Sequence, residues 1–535
     1  MVSSMNQASE SRSGWIARAI GFVIGLGFVT TILSSMELSN TIDENIYVKA
    51  GLDYLNTLSF EFNNEHPPFS KWFGALIAWL FSLKDLFWFR LPHVILFFYG
   101  GLVFTGHFRR VFGVVSALLF ALLYFCDPNI KAMASLHIND FDVALFVLLS
   151  AFYAYRLCEE NVFRPANLFF AFFFFALAIL SKFTGLFYLP FLLMALYLHL
   201  NSTHREQGSW PSRRYFLLPL AGVAAAFLIS YLFQVDQVHW FGKGIDAQRL
   251  HNRAETHPAF LWGQISNSGF KTFYLVSLWA KMPPGHLLLW LASLIYFFFK
   301  GPKNFKALFV LTLLPAIALL VHLSLLNVQT GLRYYLPGIV LMHLFSAFVL
   351  SDFIKSYKAP SLKALILIYF LFVIPDTLTF YRHSFLSYFN FWVSSPTRDF
   401  SDSNIEWKQG LPERVEKKLP SHLKWRELRP SIFEENQEQL VLVGARDLSG
   451  LAGLRGALMR AFTPVEVIGG YELHRLDRRD ALRLFNFPVT SSYDALAKVD
   501  LFSRYLAQCR DYEIKSQEGR FVDECPQILE FMSSQ

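Results

Sequence analysis

The stretch "WIARAIGFVIGLGFVTTILSS", residues 15–35, decides the fold, because it is apolar along almost its whole length. A helix needs about 20 mostly apolar residues to cross a hydrocarbon core of about 30 Å, and this stretch reaches that length. It is long for the apolar part of a signal peptide, and no small-residue cleavage site followed by soluble sequence comes after it. We therefore predict that it stays in the protein as its first membrane span.

The composition of the whole chain agrees with a membrane protein. Of 535 residues, 54% are hydrophobic, 17% are charged and 58 are Phe. A soluble globule of that composition would expose far too much apolar surface. Apolar runs recur to about residue 380, and we predict a polytopic α-helical membrane protein with about eleven transmembrane helices. The predicted spans are 15–35, 87–108, 111–125, 141–157, 165–181, 183–200, 215–233, 285–299, 305–326, 335–351 and 362–380.

Lys and Arg residues in the short loops predict the orientation. If the eleven spans alternate, five basic clusters fall on one side of the membrane, around Arg109, Arg156, Arg213, Lys303 and Lys355. The positive-inside rule makes that side, together with the N-terminus, cytoplasmic. The net charge of +7 is then largely a topology signal, and no basic and aromatic patch indicates nucleic-acid binding.

Polar residues collect in the first loop on the other, non-cytoplasmic side. The segment "TIDE", just after the first span, contains Thr41, Asp43 and Glu44. One interpretation is a capping box, with Thr41 as the N-cap and Glu44 three residues later. That interpretation explains Glu44 and leaves Asp43 unexplained, so Asp43 is the better candidate for a chemical role.

The same loop continues with "NNEHPPFSKWFGALIAWLFSL", in which Glu65 and His66 precede two prolines. Proline suits the first turn of a helix, and the following residues 69–83 are apolar but short for a span. We predict a helix that lies in the membrane interface or re-enters the outer leaflet. Glu65 and His66 are either ordinary polar loop residues or part of a site.

Further ionisable residues lie on the predicted external face at the membrane boundary. Such groups cost about 2.5 to 3.5 kcal/mol at the centre of a membrane helix and less near the interface, so they favour a functional role. The alternatives are a snorkelling Lys, a helix-capping Asp and an Arg that anchors a span. These residues are His137, Asp140 and Asp142 in "ASLHINDFDVALF", Lys182 in "LSKFTGLFYLP", Lys281 in "SLWAKMPPG", and Arg333 with Tyr334 in "NVQTGLRYYLP".

The order of these motifs carries a family resemblance. "DE" after the first span, "EHPPFSKWFGALIAWLF", "ASLHIND", "ALAILSKFTGLFYLP", "LWAKMPP" and "GLRYYLP" together resemble the polytopic C-type glycosyltransferases, the protein O-mannosyltransferase and lipid A aminoarabinose transferase group. The tail segment "DSNIEWKQGL" is similar to one that follows the last span in bacterial members. The resemblance implies a multi-pass enzyme of a bacterial inner (plasma) membrane, with its C-terminal domain periplasmic or extracellular.

The resemblance also implies the chemistry. A sugar passes from a polyprenyl-phosphate donor to a hydroxyl of an acceptor protein, lipid or glycan on the non-cytoplasmic side. A carboxylate must take the proton of the acceptor hydroxyl, and cations must meet the charge that grows on the lipid phosphate. The resemblance places the proton-accepting carboxylate at Asp43, with Glu44 beside it to position the acceptor or bind the donor, and these two are the predicted catalytic residues. The predicted substrate-binding residues are Glu65, His66, His137, Asp140, Lys182, Lys281, Arg333 and Tyr334.

The sequence departs from the family pattern in the second motif and in the tail. Relatives often carry an Arg five residues before Asp140, where this chain has Ser135. His137, or the cations at 182, 281 and 333, would then have to replace it. Glu406 stands where relatives commonly have Asp, and Lys408 where they commonly have Gly. No HxH or CxxC spacing indicates a metal site, so a divalent metal stays open.

The residues after 380 have a mixed composition. We predict a transmembrane glycosyltransferase domain at 1–380 and a small extracytoplasmic α/β domain at 381–535, with strands in "QLVLVGARD" and "VEVIGGYELHRL" and helices near 411–419 and 493–507. Cys509 and Cys525 share this tail and are predicted to form a disulfide. Cys126 and Cys158 lie on opposite sides of the membrane and are not expected to pair.

Two other functions fit a polytopic chain with buried charges. A lipid-linked glycan flippase or other transporter would tend to show paired half-repeats with broken spans near the bilayer midplane. The ionisable residues here collect on one face instead, which favours the enzyme. A scaffold with a degenerate site is the third possibility, because of Ser135.

Overall fold

The computed structural model of the chain describes most of the predicted membrane part and short stretches of the tail. Contacts group the chain into two compact units. The first comprises Met1–Ala254, Tyr274–Leu325 and Leu332–Asn390, and the second comprises Glu255–Phe273, Leu326–Gly331 and Phe391–Gln535. The described residues are 2–41, 43–159, 164–207, 217–253, 259–300, 305–357, 384–405, 425–427, 439–448, 464–468 and 471–476. The predicted boundary at 380 lies outside these ranges and stays a prediction.

Helices make up nearly all of the described residues of the first unit. Their bounds are α1 Val2–Glu37, α2 Glu44–Thr57, α3 Phe69–Leu80, α4 Leu86–Val111, α5 Val114–Phe125, α6 Pro128–Ala134, α7 Asp140–Glu159, α8 Pro165–Ser181, α9 Leu189–Gln207, α10 Leu217–Ser230, α11 His239–Arg253, α12 Phe273–Lys281, α13 Pro284–Lys300, α14 Lys306–Leu308, α15 Leu314–Ser324 and α16 Leu336–Tyr357. A π-helical turn, Phe309–Leu313, joins α14 to α15, and 3₁₀ turns at Phe183–Tyr188 and Leu332–Tyr335 precede α9 and α16.

Six of these helical stretches are long and apolar enough to cross a membrane, and three bent helix pairs raise the number to nine if each pair is one span. These numbers refer to the described residues, and the predicted span at 362–380 lies outside them. The prediction of a polytopic helical membrane protein is confirmed, while the number eleven stays a prediction. The six stretches are Gly14–Glu37, Leu86–Val111, Asp140–Cys158, Phe183–Asn201, Lys306–Ser324 and Leu332–Ser356.

Prolines explain two of the bends. The pair α5 and α6 is bent by 59° where Pro128 opens α6, and the pair α12 and α13 is bent by 116° at Pro283 and Pro284. Proline lacks the amide N–H that a continuing helix needs and is well placed in a first turn. The predicted span at 111–125 therefore ends in a break.

The helix predicted after the two prolines is present as α3, twelve residues that are too few to cross a membrane, while its place in the interface or the outer leaflet stays a prediction. It packs against α2 at Gly51, where an added Cβ would lie 2.3 Å from the carbonyl oxygen of Lys71. Only glycine leaves room for that backbone. The α2–α3 pair is therefore held together at backbone distance, and α2 begins at the residue after Asp43.

Burial separates the centre of the first unit from its rim. Helix α5, the middle of α7 and most of α16 are buried, whereas α1, α9 and α13 carry exposed apolar side chains such as Phe22, Tyr197 and Phe298. Exposed apolar side chains are stable where lipid replaces water. The rim helices thus provide a surface suited to the bilayer around a packed protein centre.

The second unit contains two small sheets within its described residues. Strands β1 Ala259–Leu261 and β2 Gln264–Ser266 form an antiparallel hairpin, and the turn between them has positive φ at Trp262 and Gly263. The strands of the other sheet are β3 Trp425–Glu427, β4 Gln439–Gly444, β5 Glu466–Ile468 and β6 Tyr471–Leu476. Their order is β3-β4-β6-β5, in which β3 is parallel to β4 and the other pairs are antiparallel.

Both predicted strand segments of the tail are strands. "QLVLVGARD" contains β4, and "VEVIGGYELHRL" contains β5 and β6. Short helices α17 Pro396–Asp399 and α18 Ala445–Leu448 lie nearby in sequence. The predicted helices at 411–419 and 493–507, and the predicted Cys509–Cys525 disulfide, fall outside the described residues. The α/β assignment of the whole tail stays a prediction.

The topology can be tested with reporter fusions. We expect fusions near Asn56, in α2, and near Ser395 to report the same non-cytoplasmic side, because an odd number of spans separates the N-terminus from each position. A fusion near Gly113, between α4 and α5, is the cytoplasmic control. Opposite reports from Asn56 and Ser395, or a cytoplasmic report from both, would show that the span count is wrong.

Candidate active site

The start of α2 forms the predicted capping box. The amide of Thr41 donates to Glu44 Oε2 at 2.9 Å, and the amide of Glu44 donates to Thr41 Oγ1 at 3.3 Å. These are the two reciprocal bonds of the motif. The Asp43 side chain makes no capping bond and keeps 38% of its surface exposed. The box thus occupies Glu44 and leaves the Asp43 carboxylate at the surface of the site.

Glu44 does more than cap a helix, because it also forms an ion pair with Arg90 of α4. Arg90 donates to both carboxylate oxygens of Glu44 at 2.7 Å, and both side chains are almost completely buried. Its remaining N–H groups reach the carbonyls of Ser35, Leu38 and Ser39 at the end of α1. All five guanidinium donors are therefore satisfied.

A third group completes the surroundings of Glu44. The amide of His137 donates to its Oε1 at 2.8 Å. Burial raises the pKa of Glu44, but the charge and hydrogen bonds of Arg90 outweigh burial, and the pKa falls below its ordinary value. Glu44 is thus a buried, fully engaged carboxylate that ties α1, α2, α4 and the 135–139 loop together. This geometry favours a positioning role over the predicted catalytic one.

Four of the sequence-predicted residues meet in one ion-pair network. Lys182 donates to Asp140 Oδ1 at 2.6 Å, and Arg333 Nη1 donates to Asp140 Oδ2 at 3.3 Å. The same Arg333 nitrogen lies 3.5 Å from Asp43 Oδ2. Asp140, Lys182 and Arg333 are 1%, 5% and 10% exposed, so Asp43 is the most exposed member. Residues nearly 300 positions apart in the sequence are thereby joined through Arg333.

Aromatic rings line this network. The ring of Tyr334 lies beneath both cations, 4.1 Å from Lys182 Nζ and 5.1 Å from Arg333 Cζ. Tyr47, one turn after Asp43 on α2, is buried; its burial, and then the charges of Asp43 and Asp140, raise its pKa well above the ordinary value. Tyr47 therefore stays a neutral hydroxyl. The sequence analysis missed it, although its spacing from Asp43 was a usable signal.

Glu65 and His66 lie in the turn between α2 and α3. Lys71 is fully buried, and its ammonium donates to the carbonyls of Asn63 and His66. Burial lowers the pKa of Lys71 to about 7. Glu65 is exposed, and His66 lines a small cavity of about 10 Å³ with the aromatic residues Tyr54, Phe60, Phe183, Tyr231, Trp240 and Phe241. Lys71 thus fixes the turn that carries both predicted residues.

Lys281 has different neighbours from the other predicted cations. Its ammonium donates to the carbonyls of Leu386 and Tyr388 and lies 4.4 Å from the ring of Phe389. Ser135, at the position of the expected Arg, is buried and donates to the carbonyl of Ala132. The sequence predicts that Lys281 lies on the same membrane face as Lys182 and Arg333. It does not predict that Lys281 contacts backbone carbonyls instead of Asp140.

The predicted binding residue His137 is enclosed within the protein. Its side chain is 0% exposed, and its Nδ1 lies 3.0 Å from Nε2 of His93 on α4. His93 in turn bonds Asp142 at 2.9 Å. Arg90 and His93 were both missed by the sequence analysis. The signal that could have found them is an ionisable residue inside an apolar span, which is costly unless it has a partner.

One cluster of the described residues has potential metal ligands: Asp127, His286 and His343, with ligand atoms within 4.8 Å of one another. His343 Nε2 lies 2.8 Å from Asp127, and Trp290 Nε1 donates to His343 Nδ1 at 3.1 Å. An indole N–H can only donate, so His343 Nδ1 is unprotonated and Nε2 carries the hydrogen. To bind a metal ion, Nε2 would have to be unprotonated, so that its lone pair could coordinate the ion. The donor set therefore fits a hydrogen-bonded network better than a metal centre.

Comparisons with known proteins agree with this architecture. Residues 65–233 match the family model described as dolichyl-phosphate-mannose-protein mannosyltransferase. A sequence search among curated proteins returns no match. ArnT from Cupriavidus metallidurans bound to undecaprenyl phosphate is similar in structure at a TM-score of 0.50 and 13% identity, over 86% of this chain and 98% of that chain.

Two other solved structures are similar at lower scores. The apo state of the same ArnT gives a TM-score of 0.49 and 14% identity, over 88% of this chain and 99% of that chain. The archaeal oligosaccharyltransferase AglB from Archaeoglobus fulgidus, in complex with an inhibitory peptide and a dolichol-phosphate, gives 0.43 and 15%, over 69% and 55%. The family-model match confirms the predicted resemblance to the protein O-mannosyltransferase group of the C-type glycosyltransferases, and the chain is a multi-pass membrane protein with an ArnT-like fold.

Proposed function

We propose that the protein transfers a sugar from a polyprenyl-phosphate donor to an acceptor hydroxyl of a protein, lipid or glycan on the non-cytoplasmic face of the membrane. The observation that carries the proposal is the network of Asp43, Arg333, Asp140 and Lys182. It places an accessible carboxylate beside two buried cations. A reaction that moves a proton from a hydroxyl and leaves a phosphate needs both kinds of group.

Asp43 is the proton acceptor in this proposal. The acceptor oxygen attacks the anomeric carbon, its proton passes to the Asp43 carboxylate, and a new glycosidic bond forms. Asp43 suits this role because it is the accessible carboxylate of the network, whereas Asp140 and Glu44 are buried and hydrogen-bonded. A base must reach the hydroxyl, so accessibility decides between the three.

Arg333 and Lys182 stabilise the leaving group. As the bond between the anomeric carbon and the phosphate oxygen breaks, that oxygen keeps the electron pair and gains negative charge. Cations that are already in place lower the energy of this charge without reorganising. Asp140 holds both cations together at 3.3 and 2.6 Å before the substrate arrives. Its role is therefore to position them, and to offset their mutual repulsion.

Reconstitution with a polyprenyl-phosphate sugar tests the proposal directly. We expect the purified protein in liposomes to release free lipid phosphate only when an acceptor hydroxyl is supplied, in proportion to the glycosylated product. Movement of the intact lipid-linked sugar between leaflets without bond cleavage would indicate a flippase. Neither cleavage nor movement would favour a scaffold.

Arg333 provides a sharper test of the donor site. We expect Arg333→Lys to lose about 10- to 100-fold in activity, since a lost hydrogen bond to a charged group costs about 1.5–3 kcal/mol. Lysine keeps the charge but lacks the planar fork that binds a phosphate through two parallel bonds. Arg109→Lys, at the far end of α4, is the matched control. Full activity of Arg333→Lys would instead support an interfacial anchor.

A further inference from the structure

Three buried side chains, those of Asp142, His93 and His137, form a hydrogen-bonded triad on either side of Asp140 in the sequence. Asp142 Oδ1 lies 2.9 Å from His93 Nδ1, and His93 Nε2 lies 3.0 Å from His137 Nδ1. All three residues are 0% exposed. The proposed transfer reaction uses none of them. Burying ionisable groups in a membrane protein costs free energy, so their presence favours a functional role.

Hydrogen-bond donors and acceptors can be matched along the triad of Asp142, His93 and His137. A carboxylate oxygen can accept, and the 2.9 Å contact allows His93 Nδ1 to donate its hydrogen to Asp142 Oδ1. With both rings neutral, His93 Nε2 then accepts, and His137 Nδ1 donates its hydrogen to it. Burial, and then the charges of His93 and Arg90, hold the pKa of His137 well below its ordinary value. The two rings are therefore not both charged near neutral pH, and the contact between them persists.

The two outer residues of the triad, His137 and Asp142, flank Asp140 in the sequence. His137 precedes Asp140 in the 135–139 loop, and Asp142 follows it in the first turn of α7. His93 holds both flanks from α4, a different helix. The segment 137–142 is therefore fixed on either side of the carboxylate that pairs with Lys182 and Arg333.

The same face of α4 also holds the other acidic loop. Arg90 and His93 are three residues apart, which places them on one side of the helix. Arg90 fixes Glu44, the neighbour of Asp43, and His93 fixes the segment around Asp140. One helix thus sets the positions of both loops that meet at Arg333.

Helix α3 packs directly against the rings of His93 and His137. A Cβ added at Gly74 of α3 would lie 2.1 Å from His137 Nδ1 and 2.7 Å from His93 Nε2. Both atoms belong to the ring–ring hydrogen bond. Only a residue without a side chain at position 74 therefore allows this contact.

We propose that His93 is a positioning residue, which acts through Asp142 and His137 to hold Asp140 in register with Lys182 and Arg333. The inference rests on the proposed transfer reaction. A misplacement of about 1 Å near the reacting atoms can cost about 100-fold in rate, so a positioning residue affects turnover more than binding.

The activity test compares a loss with a conservative rescue. We expect His93→Ala to lower kcat by about 10- to 100-fold with little change in the KM for the lipid donor. We expect His137→Leu to behave in the same way, and His137→Asn to restore most of kcat, because the Asn amide can occupy the position of Nδ1. His107→Ala, on the same helix near its other end, is the matched control.

A raised donor KM with an intact kcat in both His137 variants would overturn the proposal, since it would mean that His137 binds substrate. Unchanged kcat per folded molecule in His93→Ala would overturn it as well. In either case the wild-type protein would still turn over the donor, whereas failure of the proposed function would abolish turnover in the wild type too.

Hydrogen exchange gives a readout that does not depend on activity. We expect His93→Ala and Gly74→Ala to raise amide exchange in residues 137–142 while exchange in α16 stays unchanged. Gly25→Ala, where an added Cβ meets nothing within 4 Å, is the control for glycine replacement in a helix. Unchanged exchange at 137–142 in both variants would show that the triad of Asp142, His93 and His137 does not hold this segment in place.

Discussion

The Asp43→Asn variant is expected to insert, fold and bind the lipid donor while its transfer rate falls by about 10² to 10⁴, the usual contribution of a general base. Asparagine has nearly the shape of aspartate but cannot accept the proton of the acceptor hydroxyl. The capping box does not use the Asp43 side chain, so the helix that follows should keep its start. Chemistry and stability are therefore separated at this position.

Steady-state kinetics with the donor and the acceptor varied in turn would measure this effect. A fall in kcat with an unchanged donor KM is the expected pattern. Asp53→Asn, on the same helix, is a matched control because it makes the same change away from the network. Near-normal turnover of Asp43→Asn would remove Asp43 from the mechanism and would move the base to Glu44 or Asp140.

Removing Arg90 should have the largest effect on stability. Arg90→Met leaves Glu44 buried without its cation and leaves three carbonyls of the α1 end without their donor. Breaking a buried ion pair from one side costs about 3–5 kcal/mol. We expect a large drop in the apparent melting temperature in detergent micelles, and a lower yield of folded protein.

The pH dependence of that loss has a defined sign. In the wild type the pKa of Glu44 lies below the ordinary 4.5, so its contribution to stability is present above pH 4.5 and disappears as the pH falls through the lowered pKa. Without Arg90, burial dominates and raises the pKa of Glu44. The stability difference between variant and wild type should therefore shrink as the pH is lowered from 7 towards 5.

A double variant protects this prediction against simple misfolding. Glu44→Gln combined with Arg90→Met removes both charges, and uncharged replacements of a buried pair are often close to neutral. We expect the double variant to recover much of the melting temperature that Arg90→Met loses, and to lose the pH dependence of that difference. A double variant no more stable than Arg90→Met would show that the carbonyl contacts of Arg90, not the ion pair, stabilise this region.

Much of the fold could be predicted from apolar length alone. The helices α4, α7, α8 and α16 follow the predicted spans within a few residues, because a membrane requires long uninterrupted apolar helices. The breaks were harder to predict. Apolar length continues through the bend between α5 and α6, and the short helix α6 is itself buried.

The membership of the network was predicted better than its internal pairing. The motif order indicated Asp43, Asp140, Lys182, Arg333 and Tyr334, and the structure brings these five together. A single sequence gives no information on which charges pair between helices, so the Arg90–Glu44 pair and the His93 contacts could not be predicted. Both depend on which face of α4 turns towards α2 and α7.

The closeness of α3 to its neighbours limits which sequences can make this protein. At Gly51 the obstacle is the Lys71 backbone, and at Gly74 it is the ring pair of His93 and His137. Apolar residues on the lipid-facing rim can exchange for one another at little cost, since lipid adapts to their shape. A single methyl group at either glycine instead pushes a helix away from the loops that carry the acids. Among related sequences we therefore expect the rim residues to vary and positions 51 and 74 to remain glycine. Both glycines are needed for the site to form, although neither has a functional group.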